Sequence, residues 1–464
     1  IFFLREESSR LRTTLNLTGA TLKIVLIGVM IRGLFQGYEY EAVMPLLPEV
    51  DLVLHADSLS VLFAALSAVL WFWTTLYAVG YLEESPNRSR FFGFFSLCVT
   101  ATVGIALAGN MITFLIFYEM LTLTTYPLVV HRGTPEALKA GRTYFAYTLS
   151  GGTLLLVGIV WLWSQTGQLN FTQTGFLMGF DVEDYGQLII IFSLMIAGLG
   201  VKAALVPLHR WLPAAMVAPA PVSALLHAVA VVKAGAFGMI RVVYDLYGIE
   251  FASRLGVLQP LAIVASLTIV YGSLKALQQD DLKRRLAYST VSQISYIALG
   301  ISVGGPIAAI GGLVHLIHQG LMKITLFFCA GNLAETLGIH RISEMAGVGR
   351  RMPWTMAAFS VGALGMIGVP PLAGFISKWY LGLGALELEQ GWVLAILAVS
   401  GLLNAAYFLP VLHTVWFREP QGRWPHERRF GRLETHWMLL LPPLMIALLV
   451  IMVGLLADSF WSPL

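Results

Sequence analysis

A chain of 464 residues that is 57% hydrophobic and only 12% charged, with a mean hydropathy of +0.76, holds more apolar surface than a soluble domain can bury, so it reads as a polytopic membrane protein. A net charge of +3 on so apolar a chain gives no argument for nucleic acid as a partner. Long apolar runs without strand alternation exclude an outer-membrane barrel.

The chain opens without methionine, at Ile-Phe-Phe-Leu, and runs straight into Arg5-Glu6-Glu7; this reads as the tail of an earlier span, not a signal peptide. Thirteen complete stretches follow that are long and apolar enough to cross a bilayer as helices. They are Leu15–Phe35, Leu59–Leu82, Phe91–Ala108, Met111–Val130, Thr143–Trp163, Leu188–Pro213 and Pro221–Tyr244, then Val257–Leu277, Leu286–Val303, Ile310–Leu333, Thr355–Leu386, Trp392–Phe417 and Trp437–Ala457. With the span largely missing from the start, the expectation is an all-α membrane protein of about fourteen helices. Between the first two stretches, Tyr38–Asp57 alternates loosely, contains Pro45 and Pro48, and reads as a short hairpin on the outer face.

Charge sets the orientation. Alternate connections carry the arginines and lysines: Arg5, Arg10 and Arg12; Arg88 and Arg90; Arg132, Lys139 and Arg142; then Lys275 with Lys283–Arg285; Arg341, Arg350 and Arg351; and the long loop from Arg418 to His436. The intervening connections hold Arg241, at a helix end, and Arg254, and are otherwise acidic, as in Asp181-Val182-Glu183-Asp184 and Glu387-Leu388-Glu389. By the positive-inside rule the basic set is cytoplasmic and the chain belongs in the cytoplasmic (inner) membrane. The last basic loop suits contact with anionic lipid or with a partner.

Of the 26 acidic residues, Glu119 alone stands at the middle of an apolar span, Met111–Val130. A charge at that depth is costly and normally faces a bundle interior or a wet cavity with a partner. Two other spans contain helix breakers at mid-membrane: Lys202-Ala-Ala-Leu-Val-Pro207, and Gly368-Val-Pro370-Pro371 followed by Lys378. Proline frees carbonyls that lipid cannot satisfy, so broken helices persist only where they line protein or water, and they tend to mark ion sites. Taken as five-helix units, 91–250 and 251–417 each carry the broken helix fourth and run in opposite senses, as an inverted repeat requires; 1–90 forms the N-terminal helices and hairpin, and 418–464 the basic loop and last helix.

Further ionisable groups sit in the spans. Lys233 is central in Pro221–Tyr244, with His227 six residues before it. His315, His318 and Lys323 fall within about 140° of one another on a 3.6-residue helix, so all three can face one interior. Lys202 is the first choice of partner for Glu119, and the histidines, titrating nearest neutrality, suit a relay. A haem between His315 and His318 is ruled out, because ligands three apart on one helix cannot take both faces of one ring. Cys98 and Cys329 form no CxxC or haem-attachment motif, and the chain holds no glycine-rich dinucleotide fingerprint or Walker sequence. No cofactor and no metal are expected, and no catalytic chemistry in the chain itself.

These residues carry a resemblance. Lys202-Ala-Ala-Leu-Val-Pro-Leu-His-Arg-Trp-Leu-Pro213, with the run ending Ser-Ala-Leu-Leu-His227, is similar to the signature of the antiporter-like subunits of respiratory complex I and of Mrp-type multisubunit cation/proton antiporters. Phe117-Tyr-Glu119, the Gln279–Ser289 run, the His315–Phe327 run and Gly368–Lys378 match as well, so the likeness covers nearly the whole chain. It implies fourteen helices in inverted five-helix repeats and a proton path: Glu119 paired with Lys202, then Lys233, His227, His315, His318 and Lys323 as the central relay, and Lys378 as the terminal group. Lysine at 378 resembles the A- and D-type components of Mrp antiporters and the distal member of complex I, and the run Lys323-Ile-Thr-Leu-Phe is closer to the D-type component. The lack of a long lateral helix after residue 457 tells against the A-type Mrp component and the distal member of complex I. The resemblance implies a proton-translocating subunit of a hetero-oligomeric membrane complex, carrying H⁺ against Na⁺ or K⁺ in contact with lipid. The alternative it leaves open is a proton-pumping subunit of a complex I-type oxidoreductase, membrane hydrogenase or bicarbonate-uptake complex.

Overall fold

The computed structural model describes residues 1–48, 50–83, 85–179, 185–420, 422 and 424–457, apart from the side chain of Leu47. The acidic run at 181–184 and Arg423 of the basic loop lie outside the described residues.

The chain begins with helix α1 (Ser9–Phe35), the hairpin β1 (Tyr40–Leu47) and β2 (Val50–Ala56), and helices α2 (Ser58–Tyr81), α3 (Arg88–Ala106), α4 (Met111–Val129), α5 (Pro135–Thr166) and α6 (Tyr185–Lys202). There follow α7 (Ala220–Tyr247), α8 (Leu258–Leu277), α9 (Leu282–Val303), α10 (Pro306–Leu337), α11 (Pro353–Ile367), α12 (Ala373–Glu387), α13 (Gly391–Phe417) and α14 (Trp437–Leu455). Twelve of these are long and apolar enough to cross a membrane among the described residues. The thirteenth expected crossing, Thr355–Leu386, is the pair α11 and α12, each of 15 residues, because Gly-Val-Pro-Pro ends one helix before the other starts.

Local chemistry sets the boundaries. Asn110 caps α4 by accepting from the Thr113 N–H at 2.8 Å, Thr134 caps α5 ahead of Pro135 at its first position, and Asp281 caps α9 through the Arg284 N–H at 2.8 Å; each satisfies a donor the first turn leaves free. In the hairpin Tyr40 pairs with Ala56 and Glu41 with His55, and the register slips between Pro45 and Leu47, where proline has no N–H for the ladder.

The chain divides into two compact units. One comprises Ile1–Phe72, Ser85–Val217 and Val229–Leu261; the other comprises Trp73–Glu84, Ala218–Ala228 and Ala262–Leu464. In the first, α3 packs on α4 and α5 on α6. In the second, α10 is the centre, against α9, α11, α12 and α14. By contrast, α1 and α13 leave most of their apolar length exposed, as a lipid-facing helix does.

The expected helix Pro221–Tyr244 is not continuous. It is π-helical over Leu225–Val229, breaks from helical geometry at Ala230 (φ −123°, ψ −75°), resumes as an α-helix over Val231–Arg241 and ends π-helical. No proline marks this break, so it is invisible to a local reading. Irregular turns of this kind tend to occur at functional sites.

Candidate functional site

Glu119 stands on α4 beside Tyr118, in the first unit. The hydroxyl groups of Thr122, Thr124 and Thr125 bond back to carbonyls of their own helix; Thr124 and Thr125 also meet Cys98 of α3, and Thr122 bonds the Glu119 carboxylate. α6 ends at Lys202, and the carbonyls freed there find partners within the protein. The Trp211 indole N–H donates to the Val201 carbonyl at 2.7 Å, and the Leu205 N–H reaches the Gly200 carbonyl at 2.9 Å. Lys202 is fully buried. Its ammonium donates to the Tyr118 carbonyl and lies 3.3 Å from the centroid of the Tyr118 ring, where the negative π face supports a cation.

Among the described residues no ion pair joins Glu119 to Lys202. Their charges act on each other through space, while Oε1 of Glu119 is buried with no hydrogen-bond partner among the described residues. The carboxylate lies over Gly152, where an added Cβ would fall 2.0 Å from Oε1; only glycine leaves it that space. Lys233 is buried on α7. Two residues on, a Cβ at Gly235 would fall 2.4 Å from the Ala203 nitrogen and 2.6 Å from the Leu199 carbonyl oxygen, so glycine lets the helix of Lys233 lie directly against the break after Lys202.

The second unit holds the remaining expected groups, all but Lys378 fully buried. Lys323 of α10 donates to the Leu286 carbonyl at 3.1 Å and to Ser289 Oγ at 2.7 Å, both on α9. His315 Nδ1 shares a 2.8 Å bond with Ser377 Oγ. The next residue, Lys378, donates to the carbonyls of Met366 at 2.9 Å and Ile367 at 2.8 Å. These are the carbonyls that the break at Pro370 and Pro371 strands, and a cation suits the negative end of a helix. The Tyr296 ring sits 5.1 Å from the His315 ring and 5.5 Å from the Lys378 ammonium, linking the two. The His227 ring lies tilted against Phe327 with centroids 4.6 Å apart, and neither of its ring nitrogens has a hydrogen-bond partner among the described residues. His318 is buried on the same helix as His315 and Lys323.

The sequence reading missed the groups that hold these residues: Tyr118, Trp211, Ser289, Tyr296, Ser377 and Tyr407. A signal existed for two of them, since Ser289, Ser292, Gln293 and Tyr296 recur at i, i+3, i+4 and i+7 and form a polar stripe on an otherwise apolar helix. It also took Arg241 for an ordinary helix-end residue. Arg241 is instead 2% exposed and bonds Asp57 at 2.6 and 3.0 Å, Asp245 at 2.5 Å and Ser60 Oγ at 2.8 Å. For Asp57, between β2 and α2, burial acts to raise the carboxyl, but the bonded guanidinium of Arg241 outweighs it and holds the group below the usual carboxylate range. Lys23 bonds Ser67 Oγ at 2.9 Å, a local anchor. No group of three or more His, Cys, Asp or Glu side chains among the described residues could hold a metal ion.

Residues 108–404 match the family described as NADH:quinone oxidoreductase/Mrp antiporter, transmembrane region. Residues 48–92 match the N-terminal part of chain 5 of NADH-ubiquinone oxidoreductase (complex I). NADH-quinone oxidoreductase subunit N of Desulforudis audaxviator is 36% identical over 399 residues, 83% of this chain and 78% of that protein. Hydrogenase-4 component B of Escherichia coli is 30% identical over 435 residues, of whose own length the match spans 63%. The D component of the Na⁺/H⁺ antiporter of Alkalihalophilus pseudofirmus is 26% identical over 415 residues, 89% of this chain and 82% of that protein. In fold, the chain superposes on a chain of the Mrp complex from Dietzia sp. with a TM-score of 0.85 at 22% identity, covering 98% of this chain and 91% of that one. A chain of the archaeal membrane-bound sulfane sulfur reductase gives 0.85 at 26% identity, covering 99% and 91%. With its central 108–404 region matched and a relative 36% identical along most of both chains, this multi-pass membrane protein belongs to the antiporter-like subunits of the NADH:quinone oxidoreductase and Mrp antiporter family.

Proposed function

We infer that this chain is the proton-translocating membrane subunit of a multisubunit monovalent cation (Na⁺ or K⁺)/proton antiporter. The observation that carries the reading is the placement of Glu119 beside the broken end of α6, with its ionisable neighbour Lys202 held by a carbonyl and a π face and not by a closed ion pair. An ammonium at Lys202 supports a carboxylate at Glu119, and loss of either charge leaves the other uncompensated in an apolar interior, which is costly. A proton gained or lost at one site therefore alters the next. Glu119, Lys202 and Lys233 act as one set, and His227, His315, His318, Lys323 and Lys378 as the other, with Pro207, Pro370 and Pro371 shaping the breaks. Moving one charge across 100 mV involves about 2.3 kcal/mol, which coupling between a few buried charges can gate.

In this reading the basic loops are cytoplasmic, 91–250 and 251–417 are inverted five-helix repeats, and other membrane subunits complete the complex. The 36% identity to a component of an NADH-quinone oxidoreductase favours a second reading, in which redox partners drive the chain as a proton pump. Copurification and mass spectrometry separate the two: small antiporter subunits support the first, and flavin- or iron–sulfur-bearing subunits replace it with the second.

A displaced carboxylate tests the site without removing any ionisable group. Gly152→Ala is expected to push Glu119 from its position and lower proton transport about 100-fold, since misplacement by an ångström can cost that much. Dye-monitored acidification of vesicles carrying the complex measures it, and native transport by this variant would remove Glu119 from the path.

A further inference from the structure

The carboxamide of Asn404 lies at the end of a chain of hydrogen bonds that begins at Lys323. Lys323 donates to Ser289 Oγ at 2.7 Å, Ser289 Oγ lies 3.0 Å from the Tyr407 hydroxyl, and that hydroxyl bonds Asn404 Oδ1. All four side chains are fully buried. Each hydroxyl has a single hydrogen. The Tyr407 hydroxyl faces both Ser289 Oγ and Asn404 Oδ1 as a donor, and its one hydrogen serves one of them at a time. When it donates to Asn404, the Ser289 hydroxyl turns to donate to Tyr407, and the lone pair left on Ser289 accepts from an ammonium at Lys323. Asn404 Nδ2 is buried with no partner among the described residues. Turning the carboxamide over would thus cost no bond at Nδ2, and it reverses the whole chain. Nδ2–H then donates to Tyr407, Tyr407 to Ser289, and Ser289 to the lone pair of a neutral amine at Lys323.

We propose that Tyr407 and Asn404 are positioning residues that switch with the protonation state of Lys323, presenting Ser289 as acceptor to the ammonium and as donor to the amine. No proton passes along the chain: hydroxyl hydrogens rotate and one carboxamide turns, so Lys323 keeps a bonded partner both before and after it releases its proton. Without the reversal the neutral amine would keep N–H bonds to the Leu286 carbonyl and Ser289, but its new lone pair would be buried unsatisfied, which is costly. The charged and titratable groups nearby are Arg285, which donates to the Tyr407 carbonyl at 2.9 Å, Tyr296, which acts on Tyr407, and His227, on which the charges of Lys323 and Lys283 act.

This rests on the proton-transfer reading of Lys323, and the test separates the two. In vesicles carrying the assembled complex, Tyr407→Phe and Asn404→Leu are each expected to slow proton transport about tenfold and to displace its pH profile, and the double variant to be no slower than either, as members of one unit are. Additive losses, or native rates with an undisplaced profile, overturn the switch. If Asn404→Leu does not copurify with its partners, Asn404→Ala takes its place under the same criteria. Lys323→Ala is the control. Native transport by it refutes the underlying reading, whereas a dead Lys323→Ala alongside a native Tyr407→Phe refutes the switch alone.

Discussion

Vesicles carrying Glu119→Ala or Lys202→Ala are expected to show no proton-coupled transport, a loss of at least about 100-fold, while the complex still assembles. Glu119 stands at the middle of its span, and its Oε1 makes no hydrogen bond among the described residues; its side-chain partner Thr122 keeps the Tyr118 carbonyl when the carboxylate is removed. Lys202 donates to the Tyr118 carbonyl, a bond within the interior of one unit, and the break in α6 stays capped by Trp211. The remaining ionisable group can lose its charge by giving up or taking a proton, so the fold is expected to survive both changes and proton transport is not. Blue-native gels report assembly and dye acidification reports transport. Full transport by either variant would defeat the proposed path.

Arg241→Leu is expected to fail in the opposite way, by losing the protein itself. The guanidinium is 2% exposed and binds two carboxylates and a serine hydroxyl. Removing one member of a buried ion cluster costs about 3–5 kcal/mol, here mainly because Asp245 is left as an uncompensated buried charge; Asp57, a third exposed, is partly screened by solvent. The variant should be depleted from membranes and melt well below the native protein in detergent. The cluster has a pH signature as well. Arg241 holds Asp57 below its ordinary range, so that part of the stability is present above the unfolded carboxylate range and is lost as pH falls through the folded one. A scan of melting temperature from pH 7 downward checks the sign: the native protein should lose stability in acid more steeply than Arg241→Leu.

The spans, the two proline breaks and the ionisable residues were legible because each is written locally. Twenty apolar residues, a Pro-Pro pair or a glutamate among leucines needs no knowledge of what lies across from it. The hairpin was legible for the same reason, from alternation and its prolines. The break inside α7 was not, since nothing between Leu225 and Ala230 disfavours a helix and the distortion arises in a segment buried on every side. Arg241 misled for a related reason: its position at a helix end is local, whereas its partner Asp57 lies 184 residues away.

What the amino-acid order determined alone is the membrane class, the crossings and which costly side chains lie within them, because hydropathy and proline act within a few residues of themselves. What the tertiary structure decided is what each of those side chains touches: Lys202 a carbonyl and a ring in place of a closed pair with Glu119, Lys378 the stranded end of α11, and Lys323 a serine backed by Tyr407 and Asn404. Apart from the local Tyr407–Asn404 bond, three positions apart, those contacts join residues from 11 to 118 positions apart, and a hydrogen bond is made by atoms within about 3 Å of each other, a proximity only the packed helices create.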